Sequence, residues 1–182
     1  MVPHMIKTAR LILRPWRDSD LPSFAEQNAD PLVMRYLVGP LTRAQSDAYA
    51  AAAQLHLAET GYCKWAVEAP GVADFIGAVG LSRVKFEASF TPAVEIAWRL
   101  HRHYWGRGFA TEAARAAIED GFNRVGLSEI VAFTTLSNLA SQRVMDRLGM
   151  QRTIEFDHPA VAADSRLRRH ILYQLQRQPA SA

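Results

Sequence analysis

Trp105-Gly106-Arg107-Gly108-Phe109-Ala110-Thr111-Glu112-Ala113-Ala114 is a glycine-rich turn that runs straight into a strong helix former. Just upstream, Val94-Glu95-Ile96-Ala97-Trp98-Arg99-Leu100 reads as a strand. Strand, glycine turn and alanine-rich helix together make a backbone anion site. The first N–H groups of a helix lack partners within it, and the helix dipole favours negative charge there. A phosphate or pyrophosphate group is the expected occupant.

Working outward, the pattern alternates strands and helices. Thr8 to Arg14 reads as an early strand that sets Leu11 and Leu13 against Arg10, Ile12 and Arg14. Asp18-Ser19-Asp20 offers capping oxygens to a helix beginning at Leu21. Thr42-Arg43-Ala44-Gln45 is a capping box that opens a helix ending at Gly61. Strands follow over Tyr62–Glu68, Phe75–Leu81 and Glu95–Leu100, the first two joined by Pro70-Gly71. Beyond the glycine turn come a helix from Ala110 to Arg124, a strand over Ile130–Thr135 and a helix opened by Asn138 and closed by Gly149. Gln151–Phe156 and His170–Leu175 close the chain as strands. The order predicts a single-domain α/β (α+β) fold over residues 6–177, one mixed, mostly antiparallel central sheet flanked by helices.

Composition narrows the function classes. At 182 residues and 49% hydrophobic, the chain suits one domain with a real core. It has no apolar run of the ~20 residues a membrane helix needs. Met1-Val2-Pro3-His4-Met5 lacks a signal-peptide pattern. One cysteine, Cys63, reads as a buried hydrophobe in a reducing compartment, and the cytoplasm is the expected location. A net charge of +3 is too small to argue for a nucleic-acid partner. His101-x-His103 has no third ligand nearby, so no metal is expected.

The glycine turn also excludes two phosphate-binding classes. No Gly-Lys-Ser/Thr closes it in the manner of a nucleoside-triphosphate loop. Thr111 stands where the dinucleotide fingerprint needs its third small residue, and no acidic residue ends the following strand.

Three segments then carry a family resemblance. Thr135-Leu136-Ser137-Asn138 through Arg147-Leu148-Gly149-Met150 resembles the Asn-x-x-Ser/Ala…Leu-Gly-Phe segment of the GNAT-superfamily N-acetyltransferases. The turn Trp105–Ala110 resembles their acyl-CoA pyrophosphate loop. Thr8-Ala9-Arg10-Leu11-Ile12-Leu13-Arg14-Pro15-Trp16 looks like the opening of the branch that includes the ribosomal-protein N-terminal acetyltransferases.

The resemblance implies the GNAT fold and acetyl transfer from acetyl-CoA, as co-substrate, to a peptide N-terminus or a small amine. It implies direct attack in a ternary complex, in a monomer or homodimer. Acetyl-CoA is expected against Trp98, Leu100, Trp105, Gly106, Arg107, Gly108, Phe109, Ala110, Thr111, Asn138 and Arg143. Glu95 is the expected base and Ser141 the expected acid or thiol partner. Trp16, Tyr36 and His158 are expected at the acceptor. The match has departures. Trp105 replaces the usual Arg or Gln of the loop, with Arg102, Arg107 or Arg143 as sources of the missing charge. Met145 replaces a tyrosine that protonates the leaving thiolate. Two alternatives stay open: a catalytically weak acyl-CoA sensor, and an acetyltransferase for antibiotics, polyamines or amino acids. The acceptor itself is not legible.

Overall fold

The computed structural model describes residues 4–37 and 39–178. Eight strands form one sheet: β1 (Ile6–Lys7), β2 (Ile12–Arg14), β3 (Lys64–Ala69), β4 (Ala73–Arg83), β5 (Val94–Leu100), β6 (Glu129–Thr135), β7 (Gln151–Asp157) and β8 (Arg169–Gln176). Among the described residues five α-helices accompany them: α1 (Leu21–Ala29), α2 (Pro31–Met34), α3 (Arg43–Thr60), α4 (Phe109–Asp120) and α5 (Leu139–Arg147). The strand order is β1-β2-β3-β4-β5-β6-β8-β7. Every pairing is antiparallel except β5 with β6, which run parallel because α4 carries the chain across between them.

Local chemistry explains the elements. Thr42 accepts the Gln45 backbone N–H (3.3 Å) while Gln45 accepts that of Thr42 (2.9 Å), so the expected capping box opens α3. Asn138 caps α5 as expected, accepting the Ser141 N–H (3.3 Å). The helix after the glycine turn begins at Phe109 and gives way after Asp120 to a π turn over Gly121–Val125. One face of the sheet packs against α4 and α5 around Val79, Ile96, Ile130 and Ala113. The other face meets α1 and α3 through a smaller cluster of Trp16, Phe24, Phe75 and Ala78.

The first strand departs from expectation. It breaks at Thr8–Leu11, where the Thr8 N–H donates to the Leu11 carbonyl and the Leu11 N–H to the Thr8 hydroxyl (both 2.9 Å). The interruption bends Thr8 and Arg10 toward Glu112 on α4. Arg14, expected on the polar side, is 1% exposed. Its guanidinium donates to both oxygens of buried Asp20 (2.8 and 2.9 Å) and to Glu68 (2.8 Å). Asp20 therefore neutralises Arg14 instead of capping α1, which has no side-chain cap.

Candidate active site

The glycine turn forms as the sequence predicts. Gly106 and Gly108 take φ of 74° and 80°, the left-handed region that costs glycine least. Gly108 is the N-cap of α4 and has no side-chain cap. The Glu112 N–H bonds back to the Gly108 carbonyl (3.0 Å), which leaves the first-turn N–H groups of Phe109, Ala110 and Thr111 to face the cleft. Trp105 supplies no charge, but its indole N–H donates to the Leu100 carbonyl (2.9 Å) and ties the turn to the end of β5.

A clamp from the N-terminus holds this turn. Arg10 Nη1 donates to the Arg107 carbonyl (3.0 Å), and its guanidinium lies 4.7 Å from the Phe109 ring centroid. Arg10 Nε and the Thr8 hydroxyl donate to the two Glu112 oxygens at 2.7 and 2.6 Å. Partial burial works against the charge of Glu112, yet these bonds prevail and hold its carboxyl below the usual 4.5. The pair is 102 residues apart in sequence, and no local pattern announces it.

Strands β5 and β6 share a single register pair, Glu95 with Val131. Beyond it they splay, and a cavity of about 1090 Å³ opens between them. Gly106, Gly108, Phe109, Ala110 and Thr111 line one end of it. Trp98, Leu100 and Trp105 line the β5 side, and Asn138, Ser141 and Arg143 the α5 side. Tyr36, Glu95 and His158 border the remainder.

Three expected residues lie elsewhere. Trp16 is 6% exposed and packs on Phe24 and Phe75 with ring centroids 4.7 and 5.6 Å away. Its N–H donates to the Lys64 carbonyl (2.8 Å), so it is core and not acceptor wall. Arg107 is exposed outside the cavity, with its guanidinium 5.8 Å from the Tyr104 ring centroid. Arg102 turns away to pair with Asp30 (3.1 Å).

The polar groups are ordered by one another. Asn138 Nδ2 donates to the Thr134 hydroxyl (2.9 Å) and to Ser141 Oγ (3.1 Å). Ser141 thus accepts from Asn138 and keeps its own O–H for another partner. Met145 is 2% exposed and fills core, where a thioether donates no proton.

Glu95 Oε1 accepts from Lys64 Nζ (2.8 Å) and from the Ser82 hydroxyl (2.9 Å). Burial opposes the Lys64 charge, but Tyr49 and Glu95 outweigh it and hold the ammonium above its ordinary range. Lys64, Tyr49 and His170 also line the cavity and were missed in the sequence. A lysine directly ahead of the apolar run Trp65-Ala66-Val67 was the available signal for Lys64. Cys63 is buried, and desolvation pushes its thiol up, as befits an inert core residue.

A family model described as an acetyltransferase (GNAT) domain matches residues 10–151. Two Bacillus subtilis proteins are similar in sequence. The uncharacterized protein YkkB is 31% identical, covering 79% of this chain and 83% of its own. The uncharacterized N-acetyltransferase YnaD is 30% identical, covering 81% and 82%. Among solved structures, a GNAT-family acetyltransferase from Bacillus anthracis superposes with a TM-score of 0.78 at 24% identity, over 95% of this chain and 98% of that one. RimL, a ribosomal alpha-N-protein acetyltransferase in complex with coenzyme A, gives 0.76 at 17% identity over 95% and 98%.

Proposed function

This chain belongs to the GNAT acetyltransferase family, and on that premise we propose that it moves the acetyl group of acetyl-CoA to a primary amine by direct attack in a ternary complex. The observation that carries the reading is the splay of β5 from β6 beside the uncapped start of α4. The pyrophosphate lies on the N–H groups of Phe109, Ala110 and Thr111, where the helix dipole favours its charge. The pantetheine arm runs down the splay between β5 and α5, past Trp98, Leu100 and Asn138, with Arg143 as a cation on the α5 side. On this reading the thioester lies near Glu95 and the acceptor enters between Tyr36 and His158.

The acceptor amine attacks only when neutral. An α-amino terminus has a pKa of about 8, against roughly 10 for an alkylamine, so the former reaches that state at lower cost. Fixed geometry then supplies much of the barrier reduction. As the C–S bond breaks, the Ser141 hydroxyl meets the leaving sulfur. Among the described residues lining the cavity Glu95 is the one acid, and Lys64 already pairs with it. Arg35, Arg99, Arg143 and Arg147 line the same space. Such a balance disfavours polyamines and aminoglycosides, which need several carboxylates, and suits a peptide N-terminus or a small monoamine.

The test is thiol release from acetyl-CoA across a panel of peptides, small monoamines, amino acids, spermidine and an aminoglycoside. Peptides or monoamines should release thiol fastest. Tight coenzyme A binding with no release from any amine would overturn the enzyme reading in favour of a sensor.

A further inference from the structure

The acceptor end of the cavity holds two histidines that were not expected to act together. His170 is the second residue of β8, the strand between β6 and β7, opposite Thr135 on one side and Phe156 on the other. His158 follows β7 and returns to the same place. The Arg168 carbonyl accepts both the His158 backbone N–H (2.9 Å) and His170 Nδ1 (3.0 Å). The two rings stand 4.9 Å apart between centroids, and both line the cavity.

These bonds assign the tautomers. A carbonyl only accepts, so Nδ1 of His170 carries the hydrogen and Nε2 of the neutral ring carries the lone pair. His158 is the reverse. Its Nδ1 accepts the Ala160 backbone N–H (3.2 Å), so its Nε2 keeps the hydrogen when the ring is neutral. The pair therefore presents one fixed proton acceptor and one fixed donor.

We propose that Nε2 of His170 takes the proton from the acceptor nitrogen during acetyl transfer, with His158 as the residue that positions and limits it. The proposal rests on the acetyltransferase reading and names a base for it. As the nitrogen–carbonyl bond forms and the C–S bond breaks, the electron pair leaves with sulfur. The proton on nitrogen passes to His170 Nε2, and the thiolate is protonated by Ser141 or solvent.

The surroundings suit this role. His170 is 8% exposed, and desolvation keeps its ring neutral at neutral pH, with the bond to Arg168 opposing in part. His158 is likewise held down by burial and by His170, against the pull of Glu95. Phe133 and Phe156 wall the His170 ring at 6.3 and 5.7 Å between centroids. Glu95, already paired with Lys64, is the charged group that acts on His158 in favour of its protonated form. Two imidazoles this close titrate as a coupled pair, and a charge on His170 disfavours one on His158. Glu95, with one oxygen held by both Lys64 and Ser82, is already engaged and is not the base in this assignment.

The experiment uses the full chain, acetyl-CoA and two probe amines. 2-Phenylethylamine must lose a proton to react, whereas methoxyamine is already neutral at pH 7 and sheds its proton readily after attack. His170→Gln should lower kcat for 2-phenylethylamine by about 10²-fold or more, with little change in KM. Its loss with methoxyamine should stay under about tenfold, because the base is then dispensable. The acid limb of the wild-type kcat profile, below pH 6.5, should vanish in the variant. His158→Gln should keep the limb and move it, since His170 loses its neighbour. Coenzyme A must raise the melting temperature of both variants as it does that of the wild type, which shows the donor site is intact.

Equal losses with the two amines, or an unchanged limb in His170→Gln, overturn the assignment while leaving the enzyme reading standing. Two-bond ¹H–¹⁵N spectra of the wild type give an arm independent of any acceptor. His170 as an Nδ1–H tautomer at pH 7 supports the assignment, and an imidazolium there overturns it. A wild type inert toward every amine defeats the enzyme reading itself, and this base with it.

Discussion

Gly108→Glu tests the donor site directly. Gly108 sits at the mouth of α4 with φ of 80°, and a Cβ there would meet only Arg10 Nη2, at 3.4 Å. Gly108→Ala therefore costs backbone strain of about 1 kcal/mol and little steric repulsion. A glutamate adds a carboxylate within about 5 Å of the pyrophosphate. At an effective dielectric constant of about 20, each charge pair at that distance repels by roughly 3 kcal/mol. Screening by salt leaves about 3 kcal/mol in total, or a factor of about 10² in Kd.

The assay is thermal unfolding with and without coenzyme A at 100 times the wild-type Kd. Such binding stabilises the folded state by about 2.7 kcal/mol, which for a chain of this size raises Tm by roughly 5–11 °C. Gly108→Ala should keep that shift from a lower starting Tm. Gly108→Glu should lose nearly all of it while still melting cooperatively. Arg10 is already bonded to Glu112 and to the Arg107 carbonyl, so it is not free to neutralise the new carboxylate. A full shift in the glutamate variant refutes the pyrophosphate site, and equal loss in the alanine variant assigns the effect to the backbone.

Asp20→Ala should lower stability by about 3 kcal/mol, and Tm by roughly 6–12 °C, because it strands the buried Arg14 guanidinium. Pairing it with Arg14→Met should recover part of the loss, read by urea unfolding. Glu112, held below the usual carboxyl value, contributes stability that is present above pH 4.5 and lost as pH falls through its folded pKa. Unfolding free energies between pH 5 and 3 should therefore fall less steeply in Glu112→Gln than in the wild type. Ser141→Ala should lower kcat by about tenfold with an unchanged KM for acetyl-CoA. Full activity in that variant would leave the thiolate to solvent.

Much of the fold was legible because its signals are local. The capping box at Thr42, the Asn138 cap and the glycine turn each lie within a few residues, and each appears where the pattern put it. The failures share a cause as well. Arg14 was set on the polar side by alternation, but a guanidinium can be buried when two carboxylates from elsewhere reach it. Trp16 resembled an acceptor aromatic by position, yet its ring and its N–H are both satisfied in the core. Neither Asp20 nor Lys64 is marked as the partner by spacing alone.

The same distinction separates donor from acceptor within the site. The proposed donor site is largely backbone, and backbone sites are written as glycines, a helix start and the strand before them, contiguous in one stretch. The acceptor end draws Glu95 from β5, Lys64 from β3, Tyr36 from beyond α2 and the histidines from either side of the β7–β8 hairpin. Its meaning lies in tautomers and pairings that form only when those segments meet. His158 could be singled out in the sequence; its complement at position 170 could not, because one Arg168 carbonyl fixes both. For this reason the proposed donor site could be read from the turn at 105–111, whereas the proposed base emerges only from the folded hairpin.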